Sequence, residues 1–91
     1  MYTTHSLHLS TDKELSVSAL KVMAYAVEKS VSVLTLNLGG NHNAGTEGGM
    51  KPLAMMARYN LSMVTLDLSD CAITDESLAE LAEGLRYNRC L

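Results

Sequence analysis

The chain is predicted to fold as an α/β solenoid of about three strand–helix units, with a curved parallel sheet on its concave side and helices on its convex side. Three observations lead there: a phrase that recurs at a near-constant interval, alternating apolar residues opening each copy, and apolar residues at helical spacing closing it. Leu66 and Leu68 stand thirty residues after Leu36 and Leu38, which stand twenty-nine after Leu7 and Leu9. Arg58-Tyr59-Asn60 returns as Arg86-Tyr87-Asn88, and Met50, Leu53 and Ala54 return as Leu78, Leu81 and Ala82, each twenty-eight residues on. A period near thirty marks a stack of like units rather than one compact globule. The units run approximately over 4–32, 33–62 and 63–90, within a single domain spanning 1–91. Leu91 falls opposite Met63, so the segment is expected to be part of a longer array.

The strands come first in each unit. Leu34-Thr-Leu36-Asn-Leu38 and Val64-Thr-Leu66-Asp-Leu68 alternate apolar with polar, as a strand with one buried face does. The helices follow. Leu20, Met23, Ala24 and Val27 form one apolar stripe, as do Met50, Leu53, Ala54 and Ala57, and then Leu78, Leu81, Ala82 and Leu85. Thr74 ahead of Asp75 and Glu76 is a capping hydroxyl leading into first-turn carboxylates, which favour the positive end of a helix. Thr11 to Glu14 has capping-box spacing, with Ser16 and Ser18 as alternative caps for the first helix. Pro52 is expected within the first turn or so of the second helix, where its missing N–H costs little. Five of the six glycines lie in Gly39–Gly49, which makes that loop the conformationally loosest expected part of the chain.

A strand and a helix repeated three times require parallel neighbours, because each helix must return the chain to the same edge. One unit is too thin to bury its own stripe, so each leans on the next.

The residues at this point resemble a known family. Met63-Val-Thr-Leu66-Asp-Leu68-Ser-Asp-Cys71-Ala-Ile73 fits L-x-x-L-x-L-x-x-(N/C)-x-(L/I), and Thr74 to Leu85 is similar to the helical half of a ribonuclease-inhibitor-type leucine-rich repeat. Val33 to Asn41 resembles the same phrase, with Gly45-Thr-Glu-Gly48 standing in place of Thr74-Asp-Glu-Ser77. Asn43 departs from the pattern where an apolar residue is expected, so an irregular turn is anticipated there. The resemblance implies an interaction scaffold. It also implies that Asn41 and Cys71 point into their turns and hydrogen-bond neighbouring backbone as a ladder along the stack.

Composition narrows the function. Seven Lys and Arg against ten Asp and Glu give a net charge of −3 with no basic cluster, so nucleic acid is not an expected partner. No stretch approaches the ~18 apolar residues of a membrane span, and no signal pattern opens the chain. A cytoplasmic location is the expectation. Cys71 and Cys90 are too few and too widely spaced for a disulfide framework or a zinc motif. Buried Cys71 is expected to be an inert small hydrophobe, and Cys90, in the loop before the next expected strand, is not read as reactive without a nearby cation or base.

Neither a metal nor a cofactor is expected. His5 and His8 lie three apart on a strand and face opposite sides, while His42 belongs to another unit's turn. Gly39 to Lys51 superficially resembles a phosphate cradle, but Lys51 follows Met50 and precedes Pro52 rather than completing G-x-x-x-x-G-K-[ST]. A turn holding one inserted residue is the simpler reading. Asp75, Glu76, Glu80 and Glu83 form a solvated helix face, and no nucleophile–base set is discernible, so an enzyme is not expected.

Two surfaces can take a protein partner. Outward strand positions stack in polar rows: Ser6, Thr35 and Thr65; His8, Asn37 and Asp67; Ser10, Gly39 and Ser69; Thr11, Gly40 and Asp70. From these, His8, Thr35, Asn37, Thr65, Asp67, Ser69 and Asp70 are the candidate contact residues, although they include no aromatic or Arg anchor. The second surface is the flank beyond unit three, where Leu78, Leu81, Leu85 and Leu91 would stand uncovered. Docking there would join the chain to further repeats, a larger assembly or a copy of itself.

Overall fold

The computed structural model describes residues 6–9 and 15–88. Along the chain come β1 (Ser6–His8), α1 (Val17–Lys29), β2 (Thr35–Asn37), a 3₁₀ turn (His42–Gly45), α2 (Glu47–Tyr59), β3 (Thr65–Asp67) and α3 (Asp75–Leu85). The strands form a parallel sheet in the order β1-β2-β3. Leu7 pairs with Leu36 and Leu36 with Leu66, so the leucines that define the repeat lie side by side. Each strand is shorter than the alternating pattern, but its ladder runs on: Leu38 N donates to Asp67 O at 2.9 Å and Gly40 N to Ser69 O at 2.8 Å.

Burial follows from stacking. Leu36 and Leu38 in the middle unit are fully enclosed, together with Leu20, Met50, Leu53 and Met63. Leu7, Leu9, Leu66 and Leu68 in the outer units are only partly buried, since each has a neighbour on one side. That gradient is what a nearest-neighbour array produces.

The helix starts are fixed by hydroxyl caps. Ser16 Oγ accepts from Ala19 N, Thr46 Oγ1 from Gly49 N, and Thr74 Oγ1 from Ser77 N, each at 3.1 Å. Ser77 Oγ in turn accepts from Thr74 N at 2.9 Å, closing a reciprocal capping box. Ser16 is thus a cap of α1; Thr11 to Glu14 lie outside the described residues.

These caps correct the alignment of unit two. Thr46-Glu-Gly-Gly49, not Gly45 to Gly48, matches Thr74 to Ser77. Asn41 to Thr46 therefore spans two residues more than Cys71 to Thr74, and the surplus is wound into the 3₁₀ turn. Asn43, the departure from the apolar pattern, donates through Nδ2 to Leu15 O at 2.8 Å and ties the turn to the preceding unit.

Nor is this loop the slack segment its glycines suggest. A Cβ on Gly45 would overlap the Cys71 carbonyl oxygen, and one on Gly49 would overlap that of Asn43. Glycine here permits close backbone approach. Pro52 also differs from expectation: it is the sixth residue of α2, a turn deeper than the helix start, where it leaves Gly48 O without its i+4 donor.

Two ladders of buried polar side chains stitch the units. In the first, Asn41 is fully buried, accepts from Leu15 N at 2.9 Å and donates to Leu9 O at 3.1 Å and Leu38 O at 2.9 Å. Cys71 follows it one unit on, its thiol donating to Leu38 O at 3.2 Å. The second ladder runs past the helix ends, where the last carbonyls lack their i+4 donors and Val27 O takes only Ser30 N, at 3.0 Å, from its own segment. Asn60 Nδ2 donates to Val27 O at 2.7 Å, while its Oδ1 accepts from Met63 N at 2.6 Å and Ser62 N at 2.9 Å. Asn88 repeats the first contact by donating to Ala57 O at 2.6 Å. This explains the asparagine of the repeated Arg-Tyr-Asn phrase.

Two substitutions test the packing. Asn60→Ala should lower unfolding free energy by about 1–3 kcal/mol for each buried group it leaves unpaired, read by urea denaturation. Gly84 faces α2 so closely that a Cβ would overlap Ala54 O. Gly84→Ala should therefore cost about 1–3 kcal/mol in the same measurement, although alanine is the better helix former.

Candidate partner-binding surfaces

The sheet register brings the strand-face rows together. Ser6, Thr35 and Thr65 align, as do His8, Asn37 and Asp67. His8, Thr65, Ser69 and Asp70 are exposed, and Thr35, Asn37 and Asp67 are half-buried. Ser10 and Thr11 lie outside the described residues.

The side chains in the central row are held by their own strand ends. Asn37 Oδ1 accepts from Gly39 N at 2.9 Å, and Asp67 Oδ1 accepts from Ser69 N at 2.9 Å and Ser69 Oγ at 2.5 Å. Such turns hold a short polar side chain in place against its following backbone. Gly40 (φ 81°) and Asp70 (φ 56°) then occupy the left-handed region at equivalent positions, which glycine and aspartate adopt more readily than most residues. The Ser69 hydroxyl, and after it the Ser69 N–H, hold the Asp67 carboxyl below its ordinary pKa against a small opposing effect of burial. In contrast, burial pushes the Cys71 thiol up, as suits a ladder residue rather than a nucleophile.

The flank beyond unit three is a groove between β3 and α3, lined by Val64, Thr65, Leu66, Leu68, Leu81 and Leu85. Val64 is 55 % exposed, Leu78 53 % and Leu85 39 %, large values for three apolar side chains on one flank. Leu81 differs from its expected uncovered state: it is turned inward and buried, because its position on α3 faces α2 and the sheet. Leu91 lies outside the described residues.

The sequence rows contain no aromatic or Arg anchor, yet the structure assembles one elsewhere. The Arg58 guanidinium stands 4.3 Å from the Tyr87 ring centroid and 5.3 Å from that of Tyr59. The repeated Arg-Tyr pair was the available signal, since positions twenty-eight apart become neighbours when units stack. A shallow groove beside it is lined by Lys51, Met55, Arg58, Glu80 and Glu83. Among the described residues no group of three or more His, Cys, Asp or Glu could hold a metal ion, and no helix is long and apolar enough to cross a membrane.

The Asp67 shift gives a pH test. Its lowered folded-state pKa contributes stability above the ordinary carboxylate pKa, and that contribution is lost as pH falls through the lowered value. Ser69→Ala should raise the Asp67 carboxyl pKa toward its ordinary value in an NMR titration.

Among curated proteins none matches the chain. Residues 59–82, which run from the end of α2 through β3 into α3, match a family model described as Leucine Rich repeat, and the match supports a leucine-rich repeat protein.

Proposed function

We propose that the chain is a non-enzymatic protein-interaction module that takes its partner on the strand face. Proteins built from leucine-rich repeats generally mediate protein–protein interaction, and the match over 59–82 supports placing this chain among them. The observation that carries the choice of face is the aligned polar row His8, Asn37 and Asp67, flanked by Thr35 and Thr65 and continued by Ser69 and Asp70. Asn37 and Asp67 are pre-positioned by their turns, so less rotamer freedom is lost when a partner binds. On this reading the repeats are of the ribonuclease-inhibitor type, the sheet is the concave side of a curved stack, and the module works in the cytoplasm. With a net charge of −3, neither nucleic acid nor a membrane surface is its partner.

A second reading has a specific observation behind it. Val64 and Leu85 are exposed along the groove between β3 and α3, and Leu78 is exposed on α3 beside it, so on this reading the chain is a structural piece that docks through that flank.

Paired affinity capture tests the first reading. Wild-type chain and an Asn37→Arg/Asp67→Arg double variant serve as baits in parallel. A partner held by the wild type should be lost from the variant, whereas equal retention rejects the strand face.

A further inference from the structure

We infer that the outward stripe of α2 is a further contact surface, on the helix side of the sheet. It takes an acidic amphipathic segment of a protein partner and binds one of its carboxylates through Arg58. The inference stands apart from the strand-face and flank readings and rests on neither.

The stripe follows from helical spacing. Lys51, Met55, Arg58 and Tyr59 lie at i, i+4, i+7 and i+8, and all four are exposed. Met50, Leu53, Ala54 and Ala57 already bury the other side of the same helix. The solvent side of such a helix ordinarily carries charged and polar residues. Here Met55 and Tyr59 are each 52 % exposed beside the two cations. Methionine, tyrosine and arginine are the residue types enriched where proteins meet. The stripe also belongs to the middle of the described stack, because α1 and α3 both pack on α2. A unit added at either end would stack on α1 or α3 and not on these four side chains.

Arg58 is held ready for an anion. Its guanidinium stands over the Tyr87 ring at 4.3 Å from the centroid and 5.3 Å from that of Tyr59. Stacking occupies the face of a guanidinium and leaves its N–H donors at the rim. Among the described residues neither Arg58 nor Lys51 is in an ion pair; Glu28 is engaged by Lys29 at 3.2 Å and Glu83 by Arg86 at 3.4 Å. A carboxylate matches the guanidinium fork with two parallel hydrogen bonds. Because the ring contacts already restrain the side chain, less rotamer freedom is lost when that pair forms.

Charge and spacing define the occupant. Lys51 and Arg58 are about two helical turns apart, roughly 10 Å, with Met55 between them. Glu80 and Glu83 stand on the far wall of the groove that these three residues line. A uniformly anionic chain such as a nucleic acid would be repelled by that wall. Isolated carboxylates set between apolar side chains instead meet both cations and Met55. A helix with two acids seven residues apart and leucines between them has this pattern, and an amphipathic helix laid in a groove is a common mode of recognition.

An NMR titration of the whole chain with the blocked peptide Glu-Ala-Leu-Leu-Ala-Ala-Leu-Glu tests the proposal, with circular dichroism to verify folding of each variant. The peptide should shift the Arg58 Nε–H signal and the α2 amides, and the same peptide with Gln at both ends should not. Arg58→Gln, at an exposed position, should weaken binding by about tenfold or more, the loss expected of a charge-assisted pair. Lys21→Gln removes the same charge from α1 and should leave the affinity unchanged. Absence of a shift at Arg58, equal binding of the Gln peptide, unchanged affinity in Arg58→Gln, or an equal loss in Lys21→Gln would each overturn the proposal. Inorganic phosphate that shifts the Arg58 signal at lower concentration than the peptide would overturn the choice of a carboxylate.

Discussion

The structure depends on the reach of buried amides from one unit to the backbone of the one before it. Asn60 satisfies Val27 O, and Asn41 satisfies Leu9 O and Leu15 N, each across about one full period of chain. Without such partners, helix ends and turns would bury unpaired carbonyls and amides, which hydrophobic contact alone does not offset. The leucines supply the driving force for stacking, but these amides set its register. A slip by one residue would break every cross-unit bond at once.

The same constraint shapes the two candidate surfaces. Parallel register puts equivalent residues in rows, so any outward polar position becomes a stripe on the sheet. Along the stack, Leu78, Ala82 and Leu85 of α3 are exposed where the equivalent Met50, Ala54 and Ala57 of α2 are buried. A partner on the strand face would read such a row, whereas one on the flank of α3 would read apolar side chains.

Much of this was legible in the sequence. The leucine spacing gave the strands, their parallel order and their register, because a helical return at a fixed period admits few alternatives. Thr74 was readable as a cap for the same local reason. The second unit was harder. Its glycines suggested looseness, and only the position of Thr46 as cap showed that the extra residues form a tight 3₁₀ turn. Gly45 and Gly49 are demanded by backbone atoms far away in the chain or across the turn, and composition cannot distinguish that from flexibility. The Arg58–Tyr87 contact and the inward turn of Leu81 were missed because both depend on how helices face each other. The role of Asn60 was hidden in a phrase whose repetition was visible but whose chemistry was not.

The substitution of cysteine for asparagine along the turn ladder has a mechanical consequence. Asn41 binds three backbone groups, two of them in unit one, whereas the Cys71 thiol donates to one carbonyl of unit two, Leu38 O, and its sulfur meets the Gly40 and Asn41 amides. Thiols are weak donors. On the turn side of the seam joining units two and three the main chain therefore supplies most of the hold, through Gly40 N to Ser69 O and the close approach of Gly45 to the Cys71 carbonyl, while on the helix side Gly84 abuts Ala54 and Asn88 reaches Ala57. A rung this weak is tolerable where the main chain beside it is already clasped, which is why a cysteine can stand where the unit before it needs an amide.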